Sequence, residues 1–114
     1  MNEIELIGIT RVVKNFERSR KFYEDVLEFK ADAFYEPTKW QSYKVQDGLF
    51  YAIGEEPGST NAVTFAVSDI ESLWKKVKDK AEVVSPLEKT SWGTFRFMIK
   101  DLDGNLLAFR PKKQ

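Results

Sequence analysis

Val13-Lys14-Asn15-Phe16-Glu17-Arg18-Ser19-Arg20-Lys21-Phe22-Tyr23-Glu24-Asp25-Val26-Leu27-Glu28-Phe29 is the stretch whose reading decides the fold. Asn15 stands at a good N-cap position, because its side-chain oxygen can accept from a first-turn amide. Phe16, Tyr23, Val26 and Leu27 then recur at helical spacing, with Ser19 on the same side and charged residues between. That pattern predicts an amphipathic helix over 16–27 with one buried face. Upstream, the β-branched run Ile4 to Val13 predicts a strand. Downstream, three short aromatic or β-branched runs, 29–35, 40–45 and 49–53, predict three more. Asp47-Gly48 between the last two is a hairpin signal.

Gly54-Glu55-Glu56-Pro57-Gly58-Ser59-Thr60 is a turn-rich linker, and after it the same grammar restarts. Ala62 to Val67 reads as a strand, Asp69 as an N-cap, and Ile70 to Lys78 as a helix with Ile70, Leu73, Trp74 and Val77 on one face. Strands are expected at 81–84, 94–100 and 106–110, with Asp101-Leu102-Asp103-Gly104-Asn105 as the last turn. Adding 54 to a residue number lays Val13 on Val67, Asn15 on Asp69, Phe16 on Ile70 and Glu17 on Glu71. The chain therefore reads as a duplicated β-α-β-β-β unit within a single 114-residue domain. Module one spans about 4–54, the linker about 55–60 and module two about 61–110.

Composition narrows the function. Lys+Arg and Asp+Glu are both 18, so the net charge is zero. Nucleic-acid binders usually show a basic excess, and none is expected as a partner. The basic end, Arg110-Pro111-Lys112-Lys113, is expected to be a solvated tail. No apolar run is long enough for a membrane span, and no membrane partner is expected. The chain has no histidine and no cysteine. A disulfide scaffold, a His- or Cys-ligated metal and a His- or Cys-based catalyst are thereby excluded. The N-terminal Met1-Asn2-Glu3-Ile4-Glu5 lacks the marks of a secretory signal, and a cytoplasmic protein is the expectation.

Three stretches resemble the vicinal oxygen chelate superfamily, the group of glyoxalases, extradiol dioxygenases and bleomycin-resistance proteins. The stretch quoted above is similar to its "V-x-D-x-x-x-S-x-x-F-Y-x-x-x-L-G-F". Phe65-Ala66-Val67-Ser68-Asp69-Ile70 is similar to "F-x-V-x-D-[LIV]". Gly93 with Asp101-Leu102-Asp103-Gly104-Asn105-Leu106-Leu107 is similar to "G…D-P-D-G-N-x-[LI]-E". Asn15, Glu28 and Leu102 depart from the pattern at surface or turn positions. The resemblance implies an α+β fold in which two paired βαβββ modules form a curved, mostly antiparallel sheet around a cavity. It also implies a homodimer, sometimes with halves exchanged between chains.

In metal-binding members of that family, ligands stand on the first strand of each half, after the "D-G-N" turn, and on the last strand of the first half. Placed by the motifs, these slots fall on Gly8, Ala62 and Ala108, with the fourth near Tyr51. Divalent metals need imidazole or carboxylate donors converging from several strands, and Gly and Ala supply none. No metal and no cofactor are expected. An oxygen-only site from Asp32, Glu55, Glu56, Asp101 or Asp103 is the alternative to solvated or capping roles for those residues.

Small residues at Gly8, Ala62, Ala66 and Ala108 would leave space in the implied cavity. Thr10, Tyr51, Thr64, Arg96 and Met98 are candidate lining residues, and Trp40 and Trp92 could form a rim. The competing reading makes the aromatics core or dimer interface, as is expected of Trp74. Arg96 is either an exposed sheet residue or a cation that holds an anionic ligand. Arg11 needs a partner if it is buried. No catalytic residue is assigned. The first functional expectation is a metal-free protein that binds a small apolar or aromatic molecule. The alternatives are a metal-independent lyase- or isomerase-like enzyme using Arg96 or Tyr51, and a structural partner whose cavity is filled by its own side chains.

Overall fold

The computed structural model of the chain describes residues 2–112. Lys113, the last residue of the expected solvated tail, lies outside them. Two compact units divide the chain: Ile7–Asn61, and the described residues of 1–6 with 62–114. They are module one and module two below. Each runs through one strand, a helix and three further strands, so the chain is α+β with a repeated βαβββ order.

In module one the strands are β1 (Ile4–Val13), β2 (Ala31–Tyr35), β3 (Trp40–Gln46) and β4 (Leu49–Glu55), in the order β2-β3-β4-β1. The first three residues of β1 belong to the other unit. β1 and β4 run parallel; the other two ladders are antiparallel. The helix α1 (Phe16–Lys21) starts where expected, since Asn15 Oδ1 accepts from the Arg18 amide at 3.0 Å. A second acceptor supports the same end: Glu55 Oε2 takes the Phe16 amide at 2.9 Å.

From Phe22 to Val26 the helix widens into a π turn, closed by the Leu27 amide on the Phe22 carbonyl at 3.1 Å. The wider turn shifts every later residue around the axis. Tyr23 still points into the core beside Tyr43 and Tyr51. Val26 and Leu27, expected on the buried face, are instead 65% and 42% exposed. The core of this module is Phe16, Tyr43 and Ile53, with Tyr23, Phe29 and Tyr51 packed around it. Side chains of this size gain about 1.5–3 kcal/mol each on full burial.

Module two has β5 (Ala62–Val67), α2 (Ile70–Val77), β6 (Glu82–Lys89), β7 (Phe95–Lys100) and β8 (Leu106–Pro111), in the strand order β5-β8-β7-β6. β5 and β8 are parallel and the remaining ladders antiparallel. Asp69 caps α2 by accepting the Ser72 amide at 3.1 Å. The predicted face of Ile70, Leu73, Trp74 and Val77 packs on Val67, Phe97, Ile99 and Phe109. β6 is longer than its sequence suggests, because it continues through Pro86. Proline lacks a ladder donor but is tolerated on an edge strand, and β6 is the edge of this module, with its register slipping between Ser85 and Glu88.

The tail expectation needs correction. Arg110 and Pro111 close β8, half-buried, and Lys112 Nζ reaches Glu3 Oε1 at 3.2 Å. The two modules repeat each other in register as well as in order. Thr10 pairs with Ala52 and Ser42 with Ala52; Thr64 pairs with Ala108 and Met98 with Ala108. The offset is 54 for the first pair members and 56 across the hairpin.

Candidate functional site

Within each module the helix covers one sheet face, so a ligand site is to be sought on the other. Strand alternation places Gly8, Thr10, Ser42, Phe50, Ala52 and Gly54 on that face in module one. Trp40 joins them, its indole Nε1 donating to Thr10 Oγ1 at 3.2 Å. The Phe50 ring stands edge-on to Trp40, with centroids 5.7 Å apart. It also lies directly over Gly8, in the space a Cβ there would need. The first expected metal slot is therefore covered by an aromatic ring. Thr10 and Trp40 come together as candidate lining residues; Phe50 belongs with them and was missed. Its signal was present, since it alternates with Ala52 and Gly54.

Tyr51 is on the opposite face. It sits under the helix against Phe29 and Tyr23, and the Tyr51 and Tyr23 hydroxyls are 2.8 Å apart. Burial first, and then that hydrogen bond, push the Tyr51 hydroxyl up to about 12. Tyr43 is fully buried and donates to Glu24 Oε2 at 2.9 Å; burial, then that carboxylate, raise its pKa above the usual phenol range. These tyrosines are core groups held neutral. The internal repeat moves the fourth metal slot from near Tyr51 to Ala52, the counterpart of Ala108. Ala52 offers no donor either.

In module two, Thr64 and Met98 flank Ala108 by register. Ala66, Met98 and Ala108 are buried and Thr64 half-buried. Arg96 alternates with Phe95 and Phe97, and its guanidinium carbon lies 5.0 Å from the centroid of the Trp92 ring. Trp92 and Arg96 thus come together, at a recess of about 190 Å³ that Ser85 and Glu88 also line. Desolvation lowers the Arg96 pKa and Glu88 partly offsets that.

The residues do not fit the family's metal. Gly8, Ala52, Ala62 and Ala108 carry no side-chain donor atom. Among the described residues no group of three or more acidic side chains is placed to hold an ion. Two of the acidic candidates already have structural tasks: Glu55 caps α1, and Asp101 accepts from the Asp103 and Asn105 amides, both at 2.9 Å. Arg11 is exposed and needs no buried partner.

The profile of the Glyoxalase/Bleomycin resistance protein/Dioxygenase superfamily matches residues 6–109, so the chain belongs to that family. A search of curated proteins returns no match. Among solved structures, a superfamily member from Vibrio splendidus 12B01 is 22% identical with a TM-score of 0.76, over 98% of this chain and 100% of that one. A hypothetical protein from Bacillus halodurans C-125 is 16% identical with a TM-score of 0.78, over 98% and 96%. A methylmalonyl-CoA epimerase from Streptomyces coelicolor, in complex with 2-nitronate-propionyl-CoA, is 13% identical with a TM-score of 0.72, over 96% and 94%. At these identities the likeness is one of fold. Among the described residues no helix is long and apolar enough to cross a membrane.

Proposed function

We propose that this chain is a small-molecule-binding member of its superfamily that works without a metal and takes an apolar or aromatic ligand on the sheet face turned away from the helix. One observation carries the reading. Where metal-binding relatives need donors, this chain offers Gly8, Ala52, Ala62 and Ala108, and next to the first of them it sets the rings of Phe50 and Trp40. Sequestering a ligand needs only affinity, so no catalytic group is missing. Aromatic side chains supply a large apolar contact area, and the Thr10 hydroxyl lies beside them as a polar handle. A homodimer and a cytoplasmic location belong to the same proposal, to be checked by light scattering and by cell fractionation.

The test is a thermal-shift and tryptophan-fluorescence screen against neutral and charged aromatic compounds and antibiotics. Ligands that raise the melting temperature, with the gain lost in Trp40→Ala or Trp92→Ala, are the expected result. A second reading has its own support: Phe50 fills the space over Gly8, as in a chain that packs its cavity with its own side chains. A screen without any response would favour that reading over ours.

A further inference from the structure

In module two, opposite charges face one recess without joining. Arg96 on β7 and Glu88 on β6 are register partners, and both line the recess of about 190 Å³ beside Trp92. Opposite charges directly across a ladder attract. Here no ion pair joins them, and among the described residues neither side chain makes a hydrogen bond. Arg96 is half-buried, and Glu88 offsets only part of the cost of drying its charge. Lys89, exposed like Glu88, adds a second cation to the lining. Two hydroxyls there have capacity to spare. Ser85 is half-buried, and its hydroxyl has no hydrogen-bond partner among the described residues. Thr90 Oγ1 accepts the Thr94 amide at 3.2 Å, which leaves its own proton to donate. The turn that carries Trp92 is pinned: the Thr90 amide donates to the Thr94 carbonyl at 2.7 Å, and the Gly93 amide to the Thr90 carbonyl at 3.1 Å. A wall ordered before binding lowers the cost of binding.

We infer that this recess binds a free α-amino acid, its carboxylate on Arg96, its ammonium on Glu88 and its apolar side chain against Trp92. The Arg96 guanidinium carbon stands over the Trp92 ring, 5.0 Å from its centroid. A guanidinium stacked by its face keeps its N–H edge for a carboxylate. A lone anion would face Glu88, and a lone cation would face Arg96 and Lys89. A zwitterion satisfies both signs. Trp92 is 49% exposed, so apolar surface remains for a ligand side chain. Size limits the ligand. The recess is below the roughly 300–1,000 Å³ of drug-sized sites, which favours one amino acid over a peptide. The inference goes beyond the proposed apolar or aromatic ligand and does not depend on it, since the rings of Trp40 and Phe50 take no part.

Calorimetric titration of the full chain with leucine, with leucinamide and with N-acetyl-leucine tests the idea. Leucinamide lacks the anion and N-acetyl-leucine lacks the cation. Leucine is expected to bind about tenfold or more tightly than leucinamide, the usual value of a charge-assisted pair. Its margin over N-acetyl-leucine should be smaller, about two- to fivefold, because Glu88 is exposed. The variants should cross. Arg96→Met should weaken leucine about tenfold and erase its margin over leucinamide. Glu88→Gln should erase only the margin over N-acetyl-leucine. If Arg96→Met fails to fold, Glu88→Gln at its exposed site decides. A loss shared by all three ligands in that variant makes Glu88 structural and overturns the assignment. N-acetyl-leucine binding as tightly as leucine overturns the zwitterion, and leucinamide doing so overturns the role of Arg96. If leucine gives no heat, the amino-acid site falls, and the ligand beside Trp40 is still judged by its own screen.

Discussion

Gly8 presents only a hydrogen toward the Phe50 ring, and the ring takes the space that any Cβ would need. The two residues are register partners on parallel strands, so neither can move away cheaply. Adding a methyl at such a point forces side-chain or backbone shifts worth about 1–3 kcal/mol. Gly8→Ala is therefore expected to destabilise the protein by that amount in urea unfolding. In a Phe50→Ala background the methyl meets empty space, and the same substitution should cost little. Double-mutant cycles isolate such coupling between touching residues. Additive costs in the cycle would mean that Phe50 does not occupy the Gly8 space. Gly8→His alone should fail for the same reason: the imidazole would have to displace the ring before it could reach any ion.

The helix of module one shows how an element departs from its pattern. Its residues keep a helical spacing, yet the π turn at Phe22–Val26 serves Tyr23 and Glu24, which turn toward Tyr43 and Tyr51, and it leaves Val26 in solvent. π turns arise where side chains demand a wider turn. The exit from this element is strained: Glu28 has φ 62, a conformation that costs a side-chain-bearing residue about 1–2 kcal/mol. Glu28→Gly should stabilise the protein by about 0.5–1 kcal/mol, less than the full strain because glycine also loosens the unfolded chain. A lower urea midpoint for that variant would contradict this account. Tyr51 on β4, which hydrogen-bonds Tyr23 of this element, sets an alkaline limit. Tyr51 titrates near 10 when unfolded and is pushed up to about 12 in the folded chain. A raised pKa means that its contribution is complete below about pH 10 and is lost as the pH climbs toward about 12. Urea stability should fall across that window, and Tyr51→Phe should flatten the fall. A parent curve that stays level above about pH 10 would argue against the raised pKa of the Tyr51 hydroxyl.

At the scale of the whole molecule, what could be read from the sequence was what is local. Asn15 and Asp69 cap the helices that follow them within three residues, so both caps and the offset of 54 were visible. The change to 56 across the hairpins was not, because it builds up through loops and through the register shifts of β6, which have no period to count. The face of Tyr51 was hidden for a related reason: it depends on the parallel pairing of β1 with β4, which joins residues some forty positions apart. Arg110 was expected both as the end of a strand over 106–110 and as the start of a basic tail, because nothing in Arg110-Pro111-Lys112 signals that β8 continues through Pro111. The same non-local geometry bears on metals. A site needs several donors at one point, and the four equivalent positions Gly8, Ala52, Ala62 and Ala108 supply none from either module. An ion that bound only the folded chain would raise its stability by RT ln(1 + [L]/Kd). On the metal-free reading proposed above, the term vanishes. The melting temperature should therefore be the same, within about 1 °C, in excess zinc, manganese or magnesium and in chelator, since a stabilisation of 1 kcal/mol would move a domain of this size by about 4–8 °C. A metal-dependent rise of that order, kept in Asp101→Asn and lost on replacing any one of the remaining acidic residues, would reveal a hard-cation site and overturn the metal-free reading.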